Sequence, residues 1–393
     1  MNQTSVPAPG KTTPSRRRLL LRGLLLIVLV LLVLLGLWYL LDGRWFENTD
    51  DAYVQGNQVQ ITPLVAGTVV SVNADDGMRV ARGQLLVQLD PADTEVALQQ
   101  ASANLAAAVR QVRGLYRSVE GAQAELSARQ VALQRARADF ARRKGLAASG
   151  AISHEELAHA RDELAAAEAA MAGSRQSYER SSALVDDTVI ATQPDVQAAA
   201  AQLRRAYLDH ARAGIVAPVS GYVARRSVQV GQRVQPGTAL MAVVPIAQMW
   251  VEANFKENQL RHMRLGQAVA LRSDLYGGDV EYSGRIVSLG LGTGSAFSLL
   301  PAQNASGNWI KIVQRVPVRI AIDARQLAEH PLRIGLSMKA EVNLHDRSGA
   351  VLPAATAPGP LFETDVYSSQ LQRADELIHQ VIQRNLPLAD KAG

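Results

Sequence analysis

The stretch that most constrains this chain runs from about Asp93 to Arg212. In its first part Leu98, Leu105, Val112, Val119, Leu126, Leu133 and Phe140 recur every seven residues, and in its second Leu157, Leu164, Met171, Tyr178 and Val185 do the same. A sustained seven-residue apolar repeat keeps one seam on one face of a helix and forces two such helices into a left-handed supercoil. The companion seam position is mostly small, with Ala101, Ala108, Leu115, Ala122 and Ala136 in the first arm and Ala160, Ala167 and Ser174 in the second, which lets the helices approach closely. The remaining positions are rich in Arg, Gln and Glu and belong in water. The reading is an antiparallel coiled-coil hairpin whose first arm, about 54 residues, spans about 80 Å.

The hairpin interrupts a repeat. Before it runs Gly67-TVVSVNADD-Gly77-MRVAR-Gly83-QLLVQLD, and after it Gly221-YVARRSVQV-Gly231-QRVQP-Gly237-TALMAVV. The glycine spacing is the same, and Val69, Val80 and Leu86 match Val223, Val234 and Leu240. Alternating apolar and polar residues between glycines signify short strands and tight turns. Pro63 and Pro218 precede the two copies. One small β domain with a helical hairpin spliced into it accounts for this pattern.

Residues 1–18 are polar and end in Arg16-Arg17-Arg18, as in a cytoplasmic tail. Leu19 to Leu41, LLLRGLLLIVLVLLVLLGLWYLL, carries no charge from Gly23 onward and is long enough to cross a bilayer core. No small-residue cleavage site follows it. Arginines before the span and Asp42, Glu47, Asp50 and Asp51 after it place the N-terminus in the cytoplasm and everything after Leu41 outside, with Trp38, Tyr39, Trp45 and Phe46 at the outer interface.

The remaining boundaries follow: a first β segment with the first half of the repeat at 49–90, the hairpin at 91–213, the second half at 214–246, a small antiparallel β-barrel at 247–348, and a linker with a C-terminal helix at 349–393. The fold class is therefore α+β with one N-terminal span. Ser153 with Glu156 three residues on forms a capping box for the second arm. The seam slips by four residues after Val185, to Val189, Val196 and Leu203, with Pro194 in the slip. A break near 186–194 and a shorter helix to about Ala213 are expected. Phe255 to Arg264 reads as a short helix. Ser369 to Asn385 forms an amphipathic helix with Leu371, Ala374, Ile378 and Val381 on one side.

Chemistry-bearing motifs are few. The chain has no cysteine and a net charge of only +5, which excludes disulfides, a thiol nucleophile and Cys-ligated zinc and argues against nucleic acid. His154-EELA-His159 resembles a zinc-binding motif, but histidines five apart diverge by about 140° on a helix and cannot share an ion as that motif requires. Gly290-L-Gly292-T-Gly294 lacks the helix that a dinucleotide loop needs. The carboxylates of the hairpin lie among arginines on a solvated face. No catalytic, cofactor-binding or metal residue is assigned. The β repeat resembles the biotinyl/lipoyl carrier fold, yet neither half contains the lysine that such carriers modify, so it serves as a scaffold.

The whole pattern resembles the periplasmic adaptor (membrane fusion) family of Gram-negative tripartite exporters, and within it the EmrA type. The resemblance rests on Asp50-DAYVQGNQVQITPLVAGTV, Ala217-PVSGYVARRSVQVGQRVQPG, Ala253-NFKENQL and Gly292-TGSAFSLLPAQNASGNWIKIVQRVPVRI, and covers about residues 16–385. It implies an inner-membrane adaptor without enzymatic activity or cofactor, and a homo-oligomer, trimer or hexamer. The implied partners are a proton-driven major-facilitator (EmrB-like) pump and an outer-membrane TolC-like channel. The family's channel-docking pattern falls on Arg142, Leu146 and Ser153. An adaptor of ATP-driven type I protein secretion shares the split layout; the SAFSLLPAQ stretch favours the drug-efflux type.

Overall fold

The computed structural model describes residues 4, 16–41, 43–185, 189–294, 296, 313–354 and 359–386. Most of the expected N-terminal tail, the SAFSLLPAQNASGNWIK stretch apart from Ala296, part of the linker and residues 387–393 lie outside the described residues. In chain order, α1 (Arg16–Leu41) leads into β1 (Phe46–Gln55), followed by β2 (Val59–Ile61), β3 (Gly67–Val72), β4 (Arg79–Val80) and β5 (Leu85–Leu89). Three helices come next: α2 (Ala92–Ala148), α3 (His154–Ala183) and α4 (Pro194–Ala211). Then come β6 (Gly214–Val216), β7 (Gly221–Ala224), β8 (Arg233–Val234) and β9 (Met241–Val244). The chain continues through β10 (Trp250–Lys256), β11 (Ala268–Ser273), β12 (Glu281–Leu289), β13 (Arg315–Ile322), α5 (Ala324–Glu329), β14 (Ser337–Asn343) and α6 (Ser368–Asn385). The chain divides into two compact units, Met1–Gln58 with Val244–Phe362, and Val59–Val243 with Glu363–Gly393.

The first unit is a closed antiparallel barrel in the order β1-β10-β13-β12-β11-β14. Each strand turns alternate residues inward, so Val251, Ala253 and Phe255 of β10 and Val318 and Ile320 of β13 are fully buried, as a half-buried strand requires. β1 corrects the expected grouping: it pairs with β10 on one side and β14 on the other, so it closes the barrel, and the sandwich of the second unit starts only at β2. A bulge between Thr49 and Ala52 marks the β1–β14 pairing. Two glycines let strands touch. A Cβ on Gly284 would stand 2.6 Å from Ile320 Cγ2, and one on Gly290 would stand 2.6 Å from the Pro317 carbonyl. The expected helix at 255–264 is only a 3₁₀ turn, Gln259–His262, and α5, which the sequence reading passes over, is capped by Asp323, whose side chain accepts from Arg325 N–H. In α1, side chains of residues 16–19, 22, 35 and 38–41 lie outside the described set, and among the described residues no helix is long and apolar enough to cross a membrane.

In the second unit the repeat folds as an interleaved sandwich. One sheet runs β2-β9-β7-β4 and the other β6-β5-β3-β8. The copies exchange strands reciprocally: Gly67 of the first pairs with Val234 of the second, and Val80 of the first with Gly221 of the second. The bonds around them come in matched pairs. Val69 N–H donates to Gln232 O and Val223 N–H to Met78 O, both at 2.9 Å; Gly83 N–H donates to Ala217 O and Gly237 N–H to Pro63 O. Gly77, Gly83, Gly231 and Gly237 all adopt φ between 80° and 86°, a conformation open to glycine and strained for other residues, which explains the shared spacing. The matched apolar residues Val69, Val223, Val80, Val234, Leu86 and Leu240 all lie in one core. Arg226 of the second copy ties back to the first, its Nε 2.7 Å from Asp75 Oδ1 and its backbone N–H donating to Asp76.

The hairpin leaves this sandwich at one joint. Leu89 N–H donates to Ala213 O and β5 pairs with β6, Gln88 opposite Gly214, so both feet are stitched side by side. α2 has 57 residues, about 85 Å. Its partner arm is divided: α3 pairs with its far part and α4 with its near part; of the expected break at 186–194, residues 186–188 lie outside the described residues, and the described 184–185 and 189–193 are not α-helical. There Pro194 opens α4 and Gln193 Nε2 donates to Val185 O at 2.7 Å. Along α3 only Ala160 is fully buried, as expected where two helices share a single seam. Nearer the sandwich a third helix joins. Ala374, Ile378, Val381 and Ile382 of α6 are buried, the last three in one cluster with Leu105, Val109 and Val112 of α2 and Val196, Ala199, Ala200 and Leu203 of α4. Leu371, expected on the packed face, is exposed, and Ile382 is buried instead.

Candidate docking site at the hairpin tip

Leu146 stands two residues from the end of α2, and its backbone is over-determined. Its carbonyl accepts from Ser149 N–H (3.2 Å), Ser149 Oγ (2.8 Å) and Ala151 N–H (3.0 Å). Gly150, at φ +77°, reverses the chain. The last-turn carbonyl that would otherwise lack a partner is thus satisfied within the turn. Leu146 is nonetheless 42% exposed. A rigid backbone presenting an apolar side chain to solvent is suited to recognition.

Two helical turns earlier, Asp139 holds two arginines, with Arg142 Nη2 at 2.7 Å and Arg143 Nε at 2.8 Å. The hydrogen bond from Arg142, helped by the positive fields of both arginines against partial desolvation, holds the Asp139 carboxyl below the ordinary aspartate range. Arg142 remains largely exposed, and its guanidinium has donors to spare. Arg142 and Leu146 therefore lie on successive turns of one helix.

Ser153 is different. Its Oγ accepts from Glu156 N–H at 3.1 Å, and Glu156 Oε2 accepts from Ser153 N–H at 3.0 Å. Both partners of the capping box are in place, and the hydroxyl is committed to starting α3. Of the three candidate residues, Leu146 and Arg142 are exposed, and Ser153 is engaged in the cap of α3.

A shallow groove of about 650 Å³ lies just below, lined by Phe140 and Lys144 of α2 and by His154, Leu157, Arg161 and Leu164 of α3. Sequence reasoning placed Phe140, Leu157 and Leu164 in the seam without foreseeing that cationic side chains rim their edge; the heptad pattern says which residues meet, not how completely they fill the space. His159 Nε2 lies 3.9 Å from Glu155 Oε1, one turn away on the same helix. Gly290 N–H donates to Pro317 O, a close crossing of strands.

The hairpin, residues 92–213, matches the family described as the EmrA alpha-helical hairpin domain. The chain is 45% identical over 353 residues to the multidrug export protein EmrA of Escherichia coli K12, covering 90% of each chain. It is 47% identical over 336 residues, 84% of each chain, to the fatty acid resistance protein FarA of Neisseria gonorrhoeae. A solved structure of the periplasmic adaptor protein EmrA aligns with 76% of this chain and 99% of its own, at 18% identity and a TM-score of 0.38.

Proposed function

The chain belongs to the EmrA family of membrane fusion proteins, and on that premise we propose that it is the adaptor through which a multidrug exporter spans two membranes. In this reading Leu19–Leu41 anchors the chain in the inner membrane, with residues 1–18 in the cytoplasm and the body in the periplasm. The run of apolar residues in the sequence supports the assignment, as does the exposure of the described apolar side chains from Leu20 to Leu37. A proton-driven major-facilitator pump of the EmrB kind supplies the energy, a TolC-like channel receives the substrate, and several copies, three or six, enclose the path.

The observation that carries this reading is the hairpin: a coil about 85 Å long that leaves a lysine-free β sandwich at the joint between its halves and ends in a rigid, exposed Leu146. The sandwich takes no biotin or lipoate and works as a mount. The chain performs no catalysis; its task is to position and seal. Leu146 docks as an apolar anchor, Arg142 supplies charge-assisted hydrogen bonds beside it, and Ser153 holds the turn. Anchors of this kind carry a large share of the binding energy of a small interface.

The deciding experiment is Leu146→Asp. An unpaired charge in a desolvated contact costs about 3 kcal/mol, roughly hundredfold in affinity. We expect loss of drug resistance and of crosslinking to the channel, with helicity and protein level unchanged. Full resistance with undiminished crosslinking would mean that docking lies elsewhere.

A further inference from the structure

The hairpin changes construction along its length, and the change is sharp. α4 and α6 have 18 residues each, so each runs about 27 Å, and both stop at the same level of α2. At the end of α6, Asn385 Oδ1 accepts from Arg110 Nη1 at 2.9 Å and its carbonyl from Arg113 Nη1 at 3.4 Å. Leu386, Tyr116, Ile190 and Ala191 close the top of the three-helix core. Midway along α6 Arg204 holds Asp375 (2.6 Å), and the segment before the helix is tied by Arg82 to Asp365 (3.0 Å) and by Thr364 Oγ1 to Pro218 O (2.8 Å).

Directly above that level every support weakens together. Among the described residues of the second arm, 184–185 and 189–193 are outside α-helix, with only a 3₁₀ turn at Ile190–Thr192. In α2 no side chain between Val112 and Leu133 is fully buried. The same interval contains Gly114 and Gly121, seven residues apart and hence on one face. A Cβ added at either would meet nothing within 4 Å, and neither has positive φ. Neither packing nor backbone geometry demands a glycine there, yet glycine is among the poorest residues in a helix interior.

We propose that residues 114–121 of α2, facing the break in the second arm, form a built-in flexure, and that α6 is the splint that sets its position by stiffening everything on the sandwich side. The root is a three-helix bundle that moves with the sandwich; the far arm is a two-helix coil that swings. From Gly121 to Ala148 the arm is about 40 Å long, so a bend of about 10° carries the tip about 7 Å. Such a joint lets a tip on a fixed mount follow a moving or misaligned partner.

Hydrogen exchange on the full-length chain tests this. Amides of residues 114–122 are expected to exchange at least tenfold faster than those of 98–112. The pair Gly114→Ala and Gly121→Ala, which has open space for both methyls, should slow that exchange roughly fivefold for each glycine replaced. Ile378→Asp with Val381→Asp, which undocks α6, should extend fast exchange down through 98–113 while leaving 125–146 as it was. Uniform protection from 98 to 140, or unchanged exchange in the alanine pair, would overturn the flexure. Unchanged protection of 98–113 after α6 is undocked would overturn the splint.

Discussion

Ser153 and Leu146 sit in the same turn, one committed to the cap of α3 and the other exposed, so if Leu146 docks as proposed their substitutions separate stability from recognition. Ser153→Ala removes one cap acceptor and should cost about 1 kcal/mol, read as a small fall in the melting temperature with resistance nearly intact. In the barrel, Tyr282 is fully buried and its hydroxyl donates to His330 O at 3.0 Å. Burial pushes its phenol up to about 12. Its folded pKa lies above the unfolded value of 10.0, so its stabilising contribution is complete below pH 10 and is lost as pH rises toward 12. A spectroscopic titration should show Tyr282 and Tyr367, both raised by burial, ionising later than the other tyrosines, and Tyr282→Phe should remove the step near 12 while costing about 1 kcal/mol. Asp75 runs the other way. The Arg226 guanidinium lowers its pKa below 3.8, so its contribution is complete above that value and fades only as pH falls through the lower folded one; the clamp between the two repeat copies should therefore persist at any mildly acid pH.

At the scale of elements, the barrel depends on strands that touch. Gly284→Ala in β12 would drive a methyl into Ile320 and the Ala321 carbonyl, 2.6 and 3.0 Å away. Overpacking of that kind costs about 1–3 kcal/mol, and the loss should appear as reduced barrel stability in thermal unfolding while the helical signal of the hairpin is unchanged. Among the described residues of the hairpin, a Cβ on Gly114, Gly121, Gly145 or Gly173 would meet nothing within 4 Å. The hairpin's far part relies on many half-buried seam contacts, and its exposed ion pairs, such as Arg129 with Glu125 and Arg175 with Glu179, add little each. Loss of any one should be nearly silent, in contrast to substitution in the α2–α4–α6 core.

For the whole molecule, two outcomes follow from how the pieces are used. With no lysine between Val54 and Leu89 or between Gly214 and Val251, intact-mass measurement should find no biotin or lipoate; an added mass mapping to either copy would refute the scaffold role. If α1 is the anchor, a reporter active only in the periplasm and fused after Arg347 should be active, and the purified chain should retain its N-terminal residues. Recovery of a mature soluble form lacking residues 1–41 would refute it.

Local rules in the sequence determined what needs only local physics. The seven-residue repeat specified the long helices, since periodicity is a property of one strand of chain. The four-residue slip with Pro194 specified the break, and Ser153 with Glu156 specified the start of α3. The repeated glycines marked turns that demand positive φ. Tertiary structure decided what depends on residues far apart. Nothing in FENTDDAYVQ says that β1 closes a barrel whose next strand begins nearly 200 residues later; its alternating pattern suits either sheet, and only partner availability chooses. The reciprocal strand exchange between the copies is likewise invisible to a pattern that marks each strand without its neighbour. The face of α6 was legible, but not what it covers, because an amphipathic helix records that it has a partner and not which one. At the tip, the family resemblance nominated Arg142, Leu146 and Ser153 alike; only the hydrogen bonds in space set the serine committed to the cap of α3 apart from the exposed leucine beside it.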